Sequence, residues 1–382
     1  MKAIQPYFKN IINKEKVLFP LKQLNKVPVL RFPEFSGEWE LKKLSNVCNK
    51  IMDGTHFSPK SQGGTKKYLT SKNIRNNGLD FSICNYISDE EHQKIYKKCP
   101  VKLGDVLLTK DGANTGNCCI NTLSEEFSLL SSVAVLSGKE KILNNVFLLQ
   151  LLQSSRGIKE IKISMTGQAI ARITLEKINQ FKFTFPQFQE QTKIANFLTE
   201  IDTKIEKFTQ KKQLLERYKK GVMQQLFSQS LRFKDDNSKA YPDWEVKPLG
   251  GFLKERVEYT KEELPLYSLT IENGVIPKPK RYERRFLVKS KKDIYKSIYK
   301  DDFVYNPMNL RLGALAVHKK NIKVEVSKYY NIFYCKKNAN TKFMENYLTS
   351  YQLIQYYNKM ATGSLEEKKR VHYTDFVKFK IP

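Results

Sequence analysis

The sequence predicts a mixed α/β (α+β) protein in which two tandem, related domains are joined by a long coiled-coil-type helix. Three observations lead there. Residues 27–186 and 231–382 are successions of short apolar or β-branched runs broken by turn residues. Between them, Gln187 to Lys220 contains neither proline nor glycine. Landmarks of the first run return in the second at a nearly constant offset.

In chain order, residues 1–26 form a short N-terminal segment whose Tyr7, Phe8, Ile11 and Ile12 are spaced for two or three turns of helix before Pro20. The first domain, 27–186, opens on Trp39 and an alternating run that reads as a strand. Turn signals follow at Asp53-Gly54, Gly63-Gly64, Asn77-Gly78, Gly104-Asp105, Asp111-Gly112 and Gly116. A more helical passage begins at Asn144, and FKFTFP closes the domain at Pro186.

The interval 187–230 is the expected spacer helix. Alternate steps of four and three from Ile194 meet Leu198, Ile201, Ile205, Phe208, Lys212, Leu215, Lys219, Val222 and Leu226, so eight of ten positions are apolar. A 3.5-residue period held this long makes a narrow seam suited to another helix, where a helix on a globular core would show a wider stripe.

The second domain, 231–382, repeats the first. Trp39-Glu40-Leu41-Lys42 is answered by Trp244-Glu245-Val246-Lys247, and Asn77-Gly78 by Asn273-Gly274. Asp105 and Gly116 meet Asp302 and Gly313, Phe147 and Leu152 meet Phe343 and Leu348, Thr166-Gly167 meets Thr362-Gly363, and FKFTFP meets VKFKIP. Between the landmarks the halves differ heavily, and apart from the Asn-Gly pair the interval 75–102, against 272–299, shows no convincing match. A common scaffold with divergent interiors suits two modules that perform one task on different targets.

Composition narrows the task. The chain carries 67 Lys and Arg against 39 Asp and Glu, a net charge of +28 that attracts polyanions, of which nucleic acid is the commonest inside a cell. No apolar run is long enough to span a bilayer, and lysines interrupt the opening where a signal peptide needs its apolar core, so a cytoplasmic protein is expected. The six cysteines contain no C-x-x-C pair and the four histidines are scattered. Reduced thiols and no metal site are the expectation.

Catalytic motifs fail where they can be tested. Gly112-Ala113-Asn114-Thr115-Gly116 has its glycines too close for a phosphate-binding loop and no following lysine. Asn306-Pro307-Met308-Asn309 lacks the second proline and the aromatic of an adenine methyltransferase loop. Polar turns beside aromatics remain. In the first domain Thr55, His56, Lys60, Lys66, Lys67, Lys72, Arg75, Lys110, Asn114 and Arg172 are the candidate DNA-binding residues. In the second they are Lys280, Arg281, Arg284, Arg285, Asn309, Arg311 and Lys368. Lysines and main-chain amides at turns suit phosphates, while Arg and Asn can pair bidentately with base edges. A solvated charge is the plainer account of any one of them; the group is what points to DNA.

Several stretches together resemble a known family: LRFPEFSGEWELKKL from Leu30, DGTHFSP from Asp53, FPQFQEQTKIANFL from Phe185, LLERYKKGVMQQLF in the spacer and YPDWEVKPL from Tyr241. The chain resembles the specificity subunit of type I DNA restriction-modification enzymes, from about Val27 to Pro382. The resemblance implies that each domain is a target-recognition domain for one half of a split site in double-stranded DNA, and that the helix fixes the spacing. It implies a non-catalytic subunit that binds no cofactor itself. Two methyltransferase (M) subunits would bring S-adenosylmethionine-dependent methylation, and restriction (R) subunits the ATP- and Mg-dependent translocation and cleavage. The specificity portion of a single-chain restriction-methylation enzyme is the alternative, though two readers and a rod fill these residues; a free-standing DNA-binding regulator is another. The family also carries a second spacer helix after the second domain, apparently missing here, since Pro382 stands where Pro186 opens the first. A longer chain, a natural variant, another subunit or the N-terminal segment are the candidate sources of the seam's partner.

Overall fold

A computed structural model describes residues 27–60, 63–165, 171–260, 262, 264–278 and 295–381. The N-terminal segment 1–26, Thr166-Gly167 and the cluster Lys280, Arg281, Arg284 and Arg285 lie outside the described residues. The chain divides into two units within the long helix, between Phe208 and Thr209.

The first unit opens and closes on one strand pair. Glu40–Lys43 runs antiparallel to Lys182–Phe185, with Glu40 opposite Phe185 and Lys43 opposite Lys182, so the expected opening strand and FKFTFP are partners. The main sheet is antiparallel, in the order Cys48–Asp53, Val133–Gly138, Val106–Thr109, Cys118–Ile120. Successive side chains of a strand point to opposite faces. Val106, Leu108, Ala134 and Leu136 accordingly join a core with Leu148, Leu152 and Ile161 of the helices, while Leu107, Val133 and Val135 join a second core with Leu69, Ile74 and Phe127. With both faces covered, Val106–Thr109 is buried throughout and shows no alternation in sequence.

The helical passage is two helices, Asn145–Gln153 and Ser155–Ser164. The Asn144 side chain accepts from the amides of Val146 and Phe147, and Ser154 from that of Gly157, which supplies partners to helix-start amides that have none within the helix.

The second unit repeats this plan. Its sheet runs Leu253–Glu255, Asn331–Cys335, Phe303–Tyr305, Leu315–Val317, the same order of corresponding strands, and Lys247–Pro248 pairs with Lys380–Ile381. Its helices Thr341–Leu348 and Tyr351–Met360 are capped by Asn340 and Ser350, each 196 positions beyond Asn144 and Ser154. Trp39 meets Phe147 edge-on at 6.3 Å, and Trp244 meets Phe343 likewise at 5.9 Å. Asp105 accepts from the Lys102 amide and pairs with Lys50; Asp302 accepts from the Tyr299 amide and pairs with Arg256. The duplication therefore extends to caps, aromatic contacts and buried ion pairs.

Phe188–Phe227 is one 40-residue helix, about 60 Å at 1.5 Å per residue. Its first turns lock into the first unit. Buried Glu190 accepts from Arg31 at 2.8 and 2.6 Å, and Gln191 donates to the carbonyls of Ile142 and Pro186 while accepting from the Asn144 amide. Ile194 and Ala195 continue onto the core. The Glu-Gln of QFQEQTKIANFL thus seats the helix. Its last residue, Phe227, packs edge-on against Tyr347 at 4.9 Å in the second unit. Along the seam, Leu198, Ile201, Val222 and Leu226 are half-buried, whereas Ile205, Phe208 and Leu215 are exposed. No helix among the described residues is long and apolar enough to cross a membrane.

All six cysteines are free. Burial pushes the thiols of Cys48, Cys99, Cys118 and Cys119 up to about 12, which leaves them protonated and unreactive at neutral pH.

Candidate nucleic-acid interface

In the first unit, five segments that are distant in sequence are drawn together at the end of the main sheet. The Thr55 amide donates to the Leu129 carbonyl and the Ser131 amide to that of Thr55, both at 2.8 Å. Gly54 makes this approach possible, because a Cβ there would lie 1.9 Å from the Leu129 oxygen. The Ser71 amide donates to Ser132 Oγ, and Asn114 Nδ2 to the Ser71 carbonyl at 3.2 Å. The Gly112 amide reaches the Ala171 carbonyl at 3.0 Å, and that of Ile173 reaches Lys110 at 2.8 Å. Thr55, His56, Lys72, Lys110, Asn114 and Arg172 are thereby gathered onto one loop cluster.

Lys110 lies at its centre and faces inward. Its side chain is 2% exposed, with Nζ 3.1 Å from Asp53 and 3.4 Å from Asp111. Arg172 reaches Asp111 from outside at 3.2 Å, and His56 Nε2 stands 3.4 Å from Asp53. Two cations and two carboxylates make a neutral quartet, and a buried cation so paired is not available to a phosphate. Lys110 therefore holds the loops in register. Sequence reasoning passed over Asp53 and Asp111, its partners; the signal was that each opens an Asp-Gly turn.

The other candidates of this unit are spread more widely. Lys60 is exposed, and its amide donates to a Glu91 carboxylate oxygen at 2.8 Å. Lys67 pairs with Glu125, Lys66 stands 4.0 Å from Asp89, and Arg75 is 3.3 Å from Asp80. Lys72 is exposed and, like Lys60, makes no ion pair among the described residues.

The second unit has the corresponding junction. The Val371 amide donates to the Pro307 carbonyl at 2.9 Å, as that of Ile173 does to Lys110. Here the bridging cation is Arg311, whose guanidinium donates to the Glu366 carboxylate and carbonyl, both at 2.9 Å. Asn309 is exposed and precedes the turn Leu310–Leu312, and Lys368 is exposed on the opposing loop. In each unit, then, the loop after the third strand of the sheet is pinned to the loop after the second helix, leaving polar side chains around the junction.

Residues 36–217 match the family model described as the type I restriction modification DNA specificity domain. The first unit carries a type I restriction-modification DNA specificity domain. It is 29% identical over 184 residues to the type I restriction enzyme MjaVIII specificity subunit of Methanocaldococcus jannaschii, covering 47% of this chain and 41% of that relative. Over 327 residues it is 24% identical to the putative MjaX specificity subunit of the same organism, covering 79% and 76%. The fold resembles the crystal structure of the type I system S subunit from M. genitalium, with a TM-score of 0.54 and 13% identity over 94% of this chain and 86% of that one. The match to the specificity domain ends at 217, within the long helix. The shared strand order, helix caps and pinned loops make the second unit a structural repeat of the first.

Proposed function

We propose that this chain is a specificity subunit that reads a two-part duplex DNA sequence, each unit contacting one half through its pinned loop cluster, and that the helix Phe188–Phe227 sets the gap between the halves. The chain contributes no catalytic group and no cofactor. Two methyltransferase subunits assembled on it in the cytoplasm supply methylation with S-adenosylmethionine, and restriction subunits supply ATP-driven cleavage. The observation that carries this reading is the duplication of an entire loop-presenting scaffold with divergent loops, since two unlike half-sites require two related readers. The net charge of +28 supplies the general attraction to phosphate.

Two measurements test it. Site selection from a randomised duplex pool should yield a bipartite sequence, and exchanging residues 250–382 for those of a relative should change one half only. Changes in both halves would refute the modular reading. Affinity for the selected site should fall steeply as salt rises; a flat salt response would exclude phosphate contacts as its basis.

A further inference from the structure

The loop between Thr55 and Lys60 has a feature that the candidate DNA-binding set leaves out. Phe57 is 81% exposed. Both ends of its loop are fixed: Thr55 is held to Leu129 and Ser131, and the Lys60 amide donates to Glu91. The Phe57 amide also donates to Thr55 Oγ1 at 3.3 Å, which ties the turn internally. An apolar ring on a loose loop can fold back onto the protein; one on a loop fixed at both ends stays in solvent until a partner covers it.

The surroundings indicate the chemistry of that partner. Phe57 borders a half-open groove of about 990 Å³ that Lys60, Lys94 and Lys98 also line. Glu90 is paired with Lys94, and Lys60 and Lys98 make no ion pair among the described residues. The groove's other carboxylates are engaged, Asp53 by Lys110 and Glu91 by the Lys60 amide, so an apolar ring beside the exposed ammonium groups of Lys60 and Lys98 fits a ligand with flat apolar faces beside anions. Bases and their phosphates combine the two, and apolar side chains are known to enter duplexes at base steps.

We propose that Phe57 is a stacking wedge, its ring placed against a base at one step of the half-site read by the first unit, with Lys60 and Lys98 toward the flanking phosphates. The proposal rests on the DNA-reading function above. It assigns discrimination at one step to the ease of unstacking there, independently of hydrogen bonds to base edges.

The test is site selection from a randomised duplex pool by the full chain, repeated with Phe57→Ala and Phe57→Trp after melting curves confirm that both fold as wild type. Phe57→Ala should lose its preference at one step of one half-site and bind the wild-type site about tenfold more weakly. The other half-site and the salt dependence should be unchanged, and Phe57→Trp should retain the preference. The wedge is excluded if Phe57→Ala selects the wild-type site with wild-type affinity, or if it weakens every duplex equally. If the wild-type chain selects no sequence at all, the DNA-reading function itself fails and the wedge with it.

Discussion

Lys110→Met is expected to lower the unfolding temperature of the first unit by about 6–12 °C and to weaken its DNA reading. Methionine keeps most of the apolar stem but removes the ammonium 3.1 Å from Asp53 and 3.4 Å from Asp111. The carboxylates are then left facing each other with only Arg172 and His56 at the margin. Stranding a buried charge costs about 3 kcal/mol or more, and each kcal/mol lowers the melting temperature of a unit this size by about 2–4 °C. Calorimetry should show the shift in one transition and leave the other in place. Lys72→Met is the contrasting variant. It removes an exposed ammonium that has no ion pair among the described residues, so stability should stay within about 0.5 kcal/mol. If Lys72 meets a phosphate, the salt slope of binding should fall by about one. A wild-type melting curve for Lys110→Met would show that the quartet does not hold the loops together.

The contrast between these lysines marks where sequence reading stops. As letters, Lys110 and Lys72 are equivalent, each a cation beside a turn. What separates them is Asp53, which is 57 positions before Lys110 and adjacent to it only because Cys48–Asp53 and Val106–Thr109 both flank Val133–Gly138 in the sheet. Strand order is set by non-local hydrogen bonds and leaves no local trace in composition. Features that depend on neighbours in sequence were readable: the spacer helix, expected over 187–230 and found at Phe188–Phe227, because nothing within Gln187–Lys220 breaks it, and the opening strand after Trp39, found at Glu40–Lys43, because it carries its own alternation. The caps Asn144 and Ser154 were present in the repeat at Asn340 and Ser350, yet polar single residues are inconspicuous until the amides they accept from are located. The Glu-Gln after Pro186 was legible as a motif, whereas its role required Arg31 and Asn144 to be placed against it. Phe57 looked like any other aromatic, because exposure is a property of the folded surface.

Insertion of one heptad after Lys211 is expected to lengthen the gap between the two half-sites while leaving both half-sites unchanged. Lys211 lies on the exposed middle of the helix, away from the sockets at Glu190 and Phe227, so the added residues disturb neither end. Seven residues add about 10 Å of helix, enough for up to about three base pairs at 3.4 Å each. They also turn the helix through nearly two whole revolutions, leaving a net rotation of only about 20°. Insertion of two residues provides the decisive comparison: it adds only about 3 Å but rotates everything beyond it by about 200°. If the helix fixes phase as well as distance, the two-residue insertion should abolish bipartite binding that the heptad preserves. Site selection with the two variants reads both quantities. An unaltered gap with the heptad would mean that the spacing is set elsewhere, and wild-type binding by the two-residue variant would mean that the units are joined too loosely for the helix to act as a ruler.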